Sequence, residues 1–119
     1  MTKITFYKKN GRYFGFYEEG HTGYDFSGED ILCSALSAMT MLVVNTAEIC
    51  YAGDIVYDYN PDAATVKVKC LTALSEKKED EKKVFAISGL FEGYLLQLTD
   101  LLEDYEDYLD VDEKECDDF

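Results

Sequence analysis

The chain has 119 residues, of which 47% are hydrophobic, and carries a formal net charge of −14 with a single histidine, His21. This length corresponds to one domain with enough apolar residues for a core, but it is short for a barrel enzyme or a complete dinucleotide-binding fold. The negative charge argues against direct binding of nucleic acid. The single histidine excludes metal sites that need two imidazoles.

The first predicted elements are two strands joined by a tight turn. Residues Lys3–Lys9 and Arg12–Glu18 both place bulky apolar or aromatic side chains at alternating positions, which is typical of strands. The dipeptide Asn10-Gly11 between them favours a two-residue hairpin, since both positions tolerate positive φ. We therefore predict an N-terminal β-hairpin.

A glycine-rich segment follows the hairpin and leads into a helix. Residues 20–28 contain three glycines, which predicts a mobile surface loop. The run from Ser27 to Asp30 fits a capping box and predicts a helix start. Because Asp30–Cys50 is apolar on most faces, we expect a largely buried helix, on which Ser37 and Thr40 lie on the same side as Cys33.

The second half of the chain predicts two more strands and a final helix. Gly53–Tyr59 and Ala64–Leu71 alternate in the manner of strands, with a turn at Asn60-Pro61-Asp62. Apolar residues then recur at helical spacing from Val84 to Tyr105. The resulting order ββαββα predicts an α+β fold, with a four-stranded, largely antiparallel sheet packed with two helices.

Most of the negative charge lies at the end of the chain. Residues 100–119 hold eleven acidic residues and one lysine, whereas the other 99 residues hold fourteen acids and ten bases. We predict a single domain over residues 1–108 and an acidic, partly disordered tail over residues 109–119. The alternative interpretation is that the tail attracts a basic partner.

Neither a membrane segment nor secretion is expected from the sequence. We expect no apolar run to approach the roughly 20 residues of a membrane span, and the N-terminus lacks the apolar stretch of a signal peptide. The cysteines Cys33, Cys50, Cys70 and Cys116 form no CxxC pair. We therefore expect four reduced thiols in a cytoplasmic protein, with no metal and no cofactor.

One pair of residues has the chemistry of a cysteine nucleophile and its base. Cys33 lies near the start of the first helix, and His21 lies at the far end of the glycine-rich loop. An imidazole that accepts the thiol proton produces the attacking thiolate. A cysteine on a buried helix is, however, usually a core residue, and a loop histidine is usually a surface residue, so this pattern alone leaves both interpretations open.

The residues around this pair resemble the signature of the bacterial ribosomal-processing cysteine protease (Prp) family, which reads G-H-A, a short loop, then D-I-V-C-A-A-x-S. The positions that match are Gly20, His21, Asp30, Ile31, Cys33, Ala35 and Ser37. Thr22, Leu32 and Ser34 replace Ala, Val and Ala of the pattern. Chain length, the preceding hairpin, the element order and the acidic C-terminal helix also agree, although only the motif is specific.

The resemblance implies a homodimeric cysteine endopeptidase with Cys33 as nucleophile and His21 as general base. Asp30 and Ser37 would support the site. Residues 22–29 would form a flap over the substrate, which contains Thr22, Gly23 and Gly28, and Gly20 just before them is assigned to the same flap. The implied substrate is the precursor of the twenty-seventh large-subunit ribosomal protein, whose N-terminal extension ends in bulky aromatics ahead of the cut.

Two alternatives remain from the sequence. The chain could be a non-catalytic, acidic, dimeric module that binds a basic ribosomal protein. A thiol redox protein is the third possibility, and it requires a resolving cysteine near Cys33.

Overall fold

The computed structural model describes residues 1–20 and 27–119, with side chains described from residue 31 onward in the first helix. Its centre is a five-stranded mixed sheet with the strand order β3-β4-β2-β1-β5. The strands are β1 (Thr2–Lys9), β2 (Arg12–Glu19), β3 (Ile55–Asn60), β4 (Thr65–Cys70) and β5 (Leu109–Glu115). The predicted α+β class is confirmed, but the predicted four-stranded sheet is one strand short.

Two long helices accompany the sheet. Helix α1 spans Ser27–Asn45 and continues as a π-helical turn over Thr46–Cys50, and helix α2 spans Glu81–Tyr105. Short 3₁₀ turns at Leu71–Leu74 and Lys78–Asp80 connect β4 to α2. The predicted start of the first helix at Ser27 agrees with the structure.

The N-terminal hairpin forms as predicted. Asn10 and Gly11 have φ values of 53° and 78°, the left-handed conformation that this kind of turn requires. The two strands are antiparallel, and their register shifts between Tyr7 and Lys8. Behind the hairpin, β2 pairs with β4, and β4 pairs with β3, in both cases antiparallel.

The additional strand comes from the acidic end of the chain. Residues Leu109–Glu115 pair in parallel with β1, so these residues are not the disordered tail that their charge suggested. Lys8 Nζ lies 2.7 Å from Glu113 Oε1, and the Asn10 amide donates to Glu115 at 2.8 Å. Cations and amides of the hairpin thus offset part of the charge of β5.

The core lies between the inner face of the sheet and the two helices. Phe6 and Phe16 face each other across β1 and β2, with ring centroids 5.4 Å apart, and Tyr94 of α2 packs edge-on to both. Leu32, Leu36 and other buried residues of α1 join the same cluster. Helix α2 therefore packs directly on the hairpin, and the buried side chains of α1 complete the same cluster.

Helix α1 is less buried than its apolar composition suggested. Ile31 and Leu42 are each 61% exposed, although Leu36 and Val43 are buried. The expectation that no apolar run reaches the length of a membrane span is wrong, because the twenty residues Ile31–Cys50 are long and apolar enough by composition. A core helix passes the same test, and one face of α1 does pack into the core.

Candidate active site

A pocket of about 210 Å³ opens between α1 and the β2, β3 and β4 side of the sheet. It brings together residues from four separate elements and the β3–β4 turn. The residues that line it are Glu18, Cys33, Ser37, Thr40, Met41, Tyr57, Tyr59, Pro61, Ala64 and Val66. It contains Cys33, the cysteine that the sequence motif singles out.

Helix α1 provides the wall that carries the thiol. Cys33, Ser37 and Thr40 are spaced by four and three residues, so they lie on one face of the helix and reach the same pocket. Cys33 is partly exposed, as a nucleophile must be. It lies six residues after the helix start at Ser27, about 9 Å along the axis. The helix dipole acts mainly within the first turn, so it contributes little to activation of Cys33.

The helix wall is held to the core by a pair of hydroxyl groups. Thr40 Oγ1 lies 3.3 Å from the hydroxyl of Tyr94, which also approaches the carbonyl oxygen of Leu36 at 3.5 Å. Tyr94 is only 4% exposed, and burial raises its pKa. The pair therefore links α1 to α2 directly behind the pocket.

Strands β3 and β4 and their connecting turn provide the opposite wall. Tyr57 and Tyr59 are 42% and 58% exposed, so much of each ring is available for contact with another molecule. The Asn60 side chain accepts hydrogen bonds from the amides of Asp62 and Ala63, which fixes the turn that carries Pro61. This wall combines aromatic rings with small apolar side chains.

Glu18 is a pocket residue that the motif does not include. Strand β2 places it on the same face as Phe14 and Phe16, opposite Ile4 and Val66 in the sheet register. Burial raises the pKa of the Glu18 carboxyl to about 7. Its position could have been predicted from the sequence of β2, because successive side chains of a strand point to opposite faces, and Glu18 therefore shares a face with Phe14 and Phe16.

The remaining residues of the sequence motif fall in different parts of the chain. Gly20 has a φ of +80°, and a Cβ there would overlap the carbonyl oxygen of Met1, so this position requires glycine. Gly28 and Asp30 belong to α1, where only their backbone is described. His21, Thr22 and Gly23 lie outside the described residues. The structure brings Cys33 and Ser37 together, and the roles predicted for the motif residues stay predictions.

The other cysteines lie away from this pocket. Cys50 is exposed in the π-helical turn, Cys70 is buried in β4, and Cys116 follows β5. Burial raises the pKa of the Cys70 and Cys116 thiols, which disfavours their thiolate forms. The four cysteines, all within the described part of the chain, form no disulfide.

Solved structures with the same fold include proteins from two bacteria. The structure of SMU.848 from Streptococcus mutans has a TM-score of 0.78 and 24% identity, covering 98% of this chain and 99% of that one. The essential ribosomal processing protease Prp from S. aureus, in complex with a substrate peptide, has a TM-score of 0.73 and 16% identity, covering 96% of this chain and 100% of that one. The same S. aureus protein with a covalently linked product peptide has a TM-score of 0.72 and 17% identity, over the same shares.

Sequence comparison identifies the family. No curated protein sequence matches the chain significantly. The family model for cysteine protease Prp, in contrast, matches residues 1–110, which includes the hairpin, both helices and the pocket. The chain therefore belongs to the cysteine protease Prp family.

Proposed function

We propose that this chain is the endopeptidase that removes the N-terminal extension of the twenty-seventh large-subunit ribosomal protein. The observation that carries this proposal is the position of Cys33 in an open pocket, within a chain that belongs to a cysteine protease family. A structural neighbour named as a ribosomal processing protease, with a substrate peptide bound, supports the same class of substrate.

The proposed chemistry uses a Cys33–His21 dyad. His21 accepts the thiol proton, and the Cys33 sulfur attacks the carbonyl carbon of the scissile peptide bond. The C–N bond then breaks, the amine leaves with the proton from the imidazolium, and an acyl-enzyme thioester remains. Water, deprotonated by His21, hydrolyses the thioester and returns the thiol. Asp30 and Ser37 are proposed to support this dyad.

The shape of the pocket suits the residues expected ahead of the cut. Tyr57 and Tyr59 offer exposed rings, and Met41, Pro61 and Val66 add apolar surface. Aromatic side chains of a peptide pack well against such a wall, because offset or edge-on ring contacts add to the burial of apolar area. This supports an extended peptide that places bulky aromatics against the β3 wall of the pocket.

The charge of the chain favours encounter with a basic ribosomal protein. With a net charge of −14, long-range attraction increases the association rate of a positively charged precursor, and added salt weakens the effect. We further propose that the protein acts in the cytoplasm, where ribosomal proteins are made, and works as a homodimer. The family resemblance implies the homodimer, and the expected reduced state of the four cysteines favours the cytoplasm.

The test is a cleavage assay on the N-terminal peptide of the precursor, with the native chain compared with Cys33→Ala and His21→Ala. Both variants are expected to lose cleavage, because each lacks one member of the dyad. Cys50→Ala is the matched control, since Cys50 is an exposed thiol outside the pocket, and it should cut normally.

Undiminished cleavage by either dyad variant would overturn the mechanism. Tight binding of the precursor without any cutting by the native chain, unaffected by alkylation of thiols, would instead identify a non-catalytic binding module. Mass spectrometry of the products distinguishes these results, because it reports both the cut and its position.

A further inference from the structure

Among the described residues that line the pocket, one has a carboxyl group. This is Glu18, and neither lysine nor arginine lines the pocket with it. Its strand is central in the sheet, between β1 and β4, so the carboxyl group is held on a rigid element. A rigid element positions a binding group more accurately than a loop does.

The Glu18 carboxyl has no cationic partner within the described chain. Hydrogen bonds and ion pairs between described residues do not involve its side chain, and burial is the cause of its raised pKa. Lysines are close in the sheet but on the other face: Val66 lies opposite Glu18 in the register, whereas Lys67 lies opposite Tyr17. The local cations therefore do not reach into the pocket.

A partly desolvated carboxylate without a cationic partner is costly. Removal from water destabilises the charged form, and pairing with a cation in the same low-dielectric site compensates for that loss. In this chain the carboxyl is partly desolvated before any ligand arrives, so a cation that enters the pocket gains the attraction while little further water needs to leave the carboxyl. Such a site favours a positively charged group over a neutral one.

We propose that Glu18 is a specificity-determining residue, which binds a lysine or arginine side chain of the peptide substrate close to the scissile bond. This inference rests on the proposed function, since it names a feature of the substrate for the same pocket. The α1 wall fits such a side chain, because Met41 can contact its aliphatic stem, whereas Tyr57 and Tyr59 on the opposite wall remain available for the aromatic residues of the extension.

The experiment uses peptides based on the precursor, in which each position around the cut carries lysine or the uncharged norleucine. The native chain is expected to show a kcat/KM at least tenfold higher for lysine at one position. Glu18→Gln should reduce that preference to about twofold or less, and Glu18→Lys should reverse it. Glu19→Gln is the matched control, because Glu19 is the exposed neighbour with the same charge and should keep the preference.

The preference should also depend on pH. Glu18 loses its charge as the pH falls through about 7, so the lysine preference of the native chain should decrease between pH 8 and pH 6. The titratable groups described around it are Cys33 on α1, Tyr57 and Tyr59 on β3, and Tyr94 on α2. Glu18→Gln should show no such change, which separates the effect from titration of the catalytic residues.

Two results would overturn the inference. One is an unchanged lysine preference in Glu18→Gln, and the other is an equal loss of kcat/KM for every peptide, which would give Glu18 a role in the chemistry instead. The same peptides are also measured for binding to Cys33→Ala and to the Cys33→Ala/Glu18→Gln double variant by fluorescence anisotropy. Because binding needs no cleavage, failure of the protease proposal and failure of this inference remain distinguishable.

Discussion

The hydroxyl groups of Thr40 and Tyr94 lie 3.3 Å apart and join the two helices behind the pocket. Thr40 also lines the pocket, whereas Tyr94 lies within the core against Phe6 and Phe16. The pair therefore connects the wall that carries Cys33 to the most buried part of the protein. Both groups are buried, and each would lose a partner if the other were removed.

Replacement of Tyr94 by phenylalanine should test this connection. Tyr94→Phe leaves a buried threonine hydroxyl without this partner, so we expect the free energy of unfolding to fall by about 1–2 kcal/mol. Thr40→Val should cost a similar amount, and the double variant should cost less than the two single changes together. Urea denaturation of the four chains measures the coupling, and simple additivity would show that the hydroxyls do not interact.

The end of the chain should contribute to stability through Phe119. Its ring stacks on Tyr7 with centroids 3.9 Å apart, and Lys67 and Lys69 lie within 6 Å of its centre, at 5.4 and 5.9 Å. Phe119→Ala removes the stacking and both cation–π contacts, with an expected loss of about 1–2 kcal/mol. Thermal unfolding measures this loss of stability. Phe85→Ala is the control, because Phe85 is 84% exposed and its replacement should change the stability by less than about 0.5 kcal/mol. Equal effects of the two variants would contradict this packing.

Gly15 provides the space in which the Phe119 ring lies. A Cβ at this position would come within 2.6 Å of both Phe119 Cζ and the carbonyl oxygen of Val68. Gly15→Ala should therefore lower the melting temperature, and Phe119→Ala in the same chain should not restore it fully, because the clash with the strand backbone remains. Full rescue by the double variant would show that only the ring limits the space.

Glu18 should make the stability depend on pH. Its carboxyl has a pKa of about 7 in the folded chain and an ordinary value of 4.5 when unfolded, so the folded state binds more protons between these values. The contribution of Glu18 to the free energy of unfolding is therefore greatest below pH 4.5. It decreases as the pH rises to about 7, by about 3 kcal/mol at most. Glu18→Gln should be the more stable chain above pH 7.

The control for this prediction is Glu19→Gln, which removes the same charge from an exposed position. Denaturation at a series of pH values gives the free energy of unfolding of each variant and of the native chain. The difference between the two removes the effect of the groups that both chains share. A flat difference for Glu18→Gln between pH 4.5 and pH 7 would contradict the raised pKa.

The tyrosine wall should determine how well aromatic substrates bind. Tyr59→Ala removes an exposed ring from the pocket, and a lost ring contact of about 0.5–1.5 kcal/mol corresponds to a rise in KM of about two- to tenfold. Cleavage of the precursor peptide should show this rise with little change in kcat. Tyr51→Ala, a partly exposed tyrosine outside the pocket, should leave KM unchanged, and an equal rise there would contradict a specific role for Tyr59.

Local patterns predicted much of this fold and part of the site. The hairpin follows from Asn10-Gly11, because the turn needs two residues with positive φ, and the helices follow from apolar spacing. The helical repeat alone places Cys33, Ser37 and Thr40 on one face of α1, and this face lines the pocket. The motif also indicated the cysteine protease family, which the match over residues 1–110 confirms.

Contacts between distant segments decided the rest. The acidic strand β5 pairs with β1 across about a hundred residues, and its charge is tolerated because Lys8 and the Asn10 amide meet it there. Alternation alone puts Glu18 on the inner face of β2, but only the packing of α1 and β3 around it makes that face a pocket. The sequence by itself determined the local backbone and the helix face that carries Cys33, whereas the tertiary structure decided which charges are paired and which carboxyl lines the pocket, since desolvation depends on neighbours far apart in the chain.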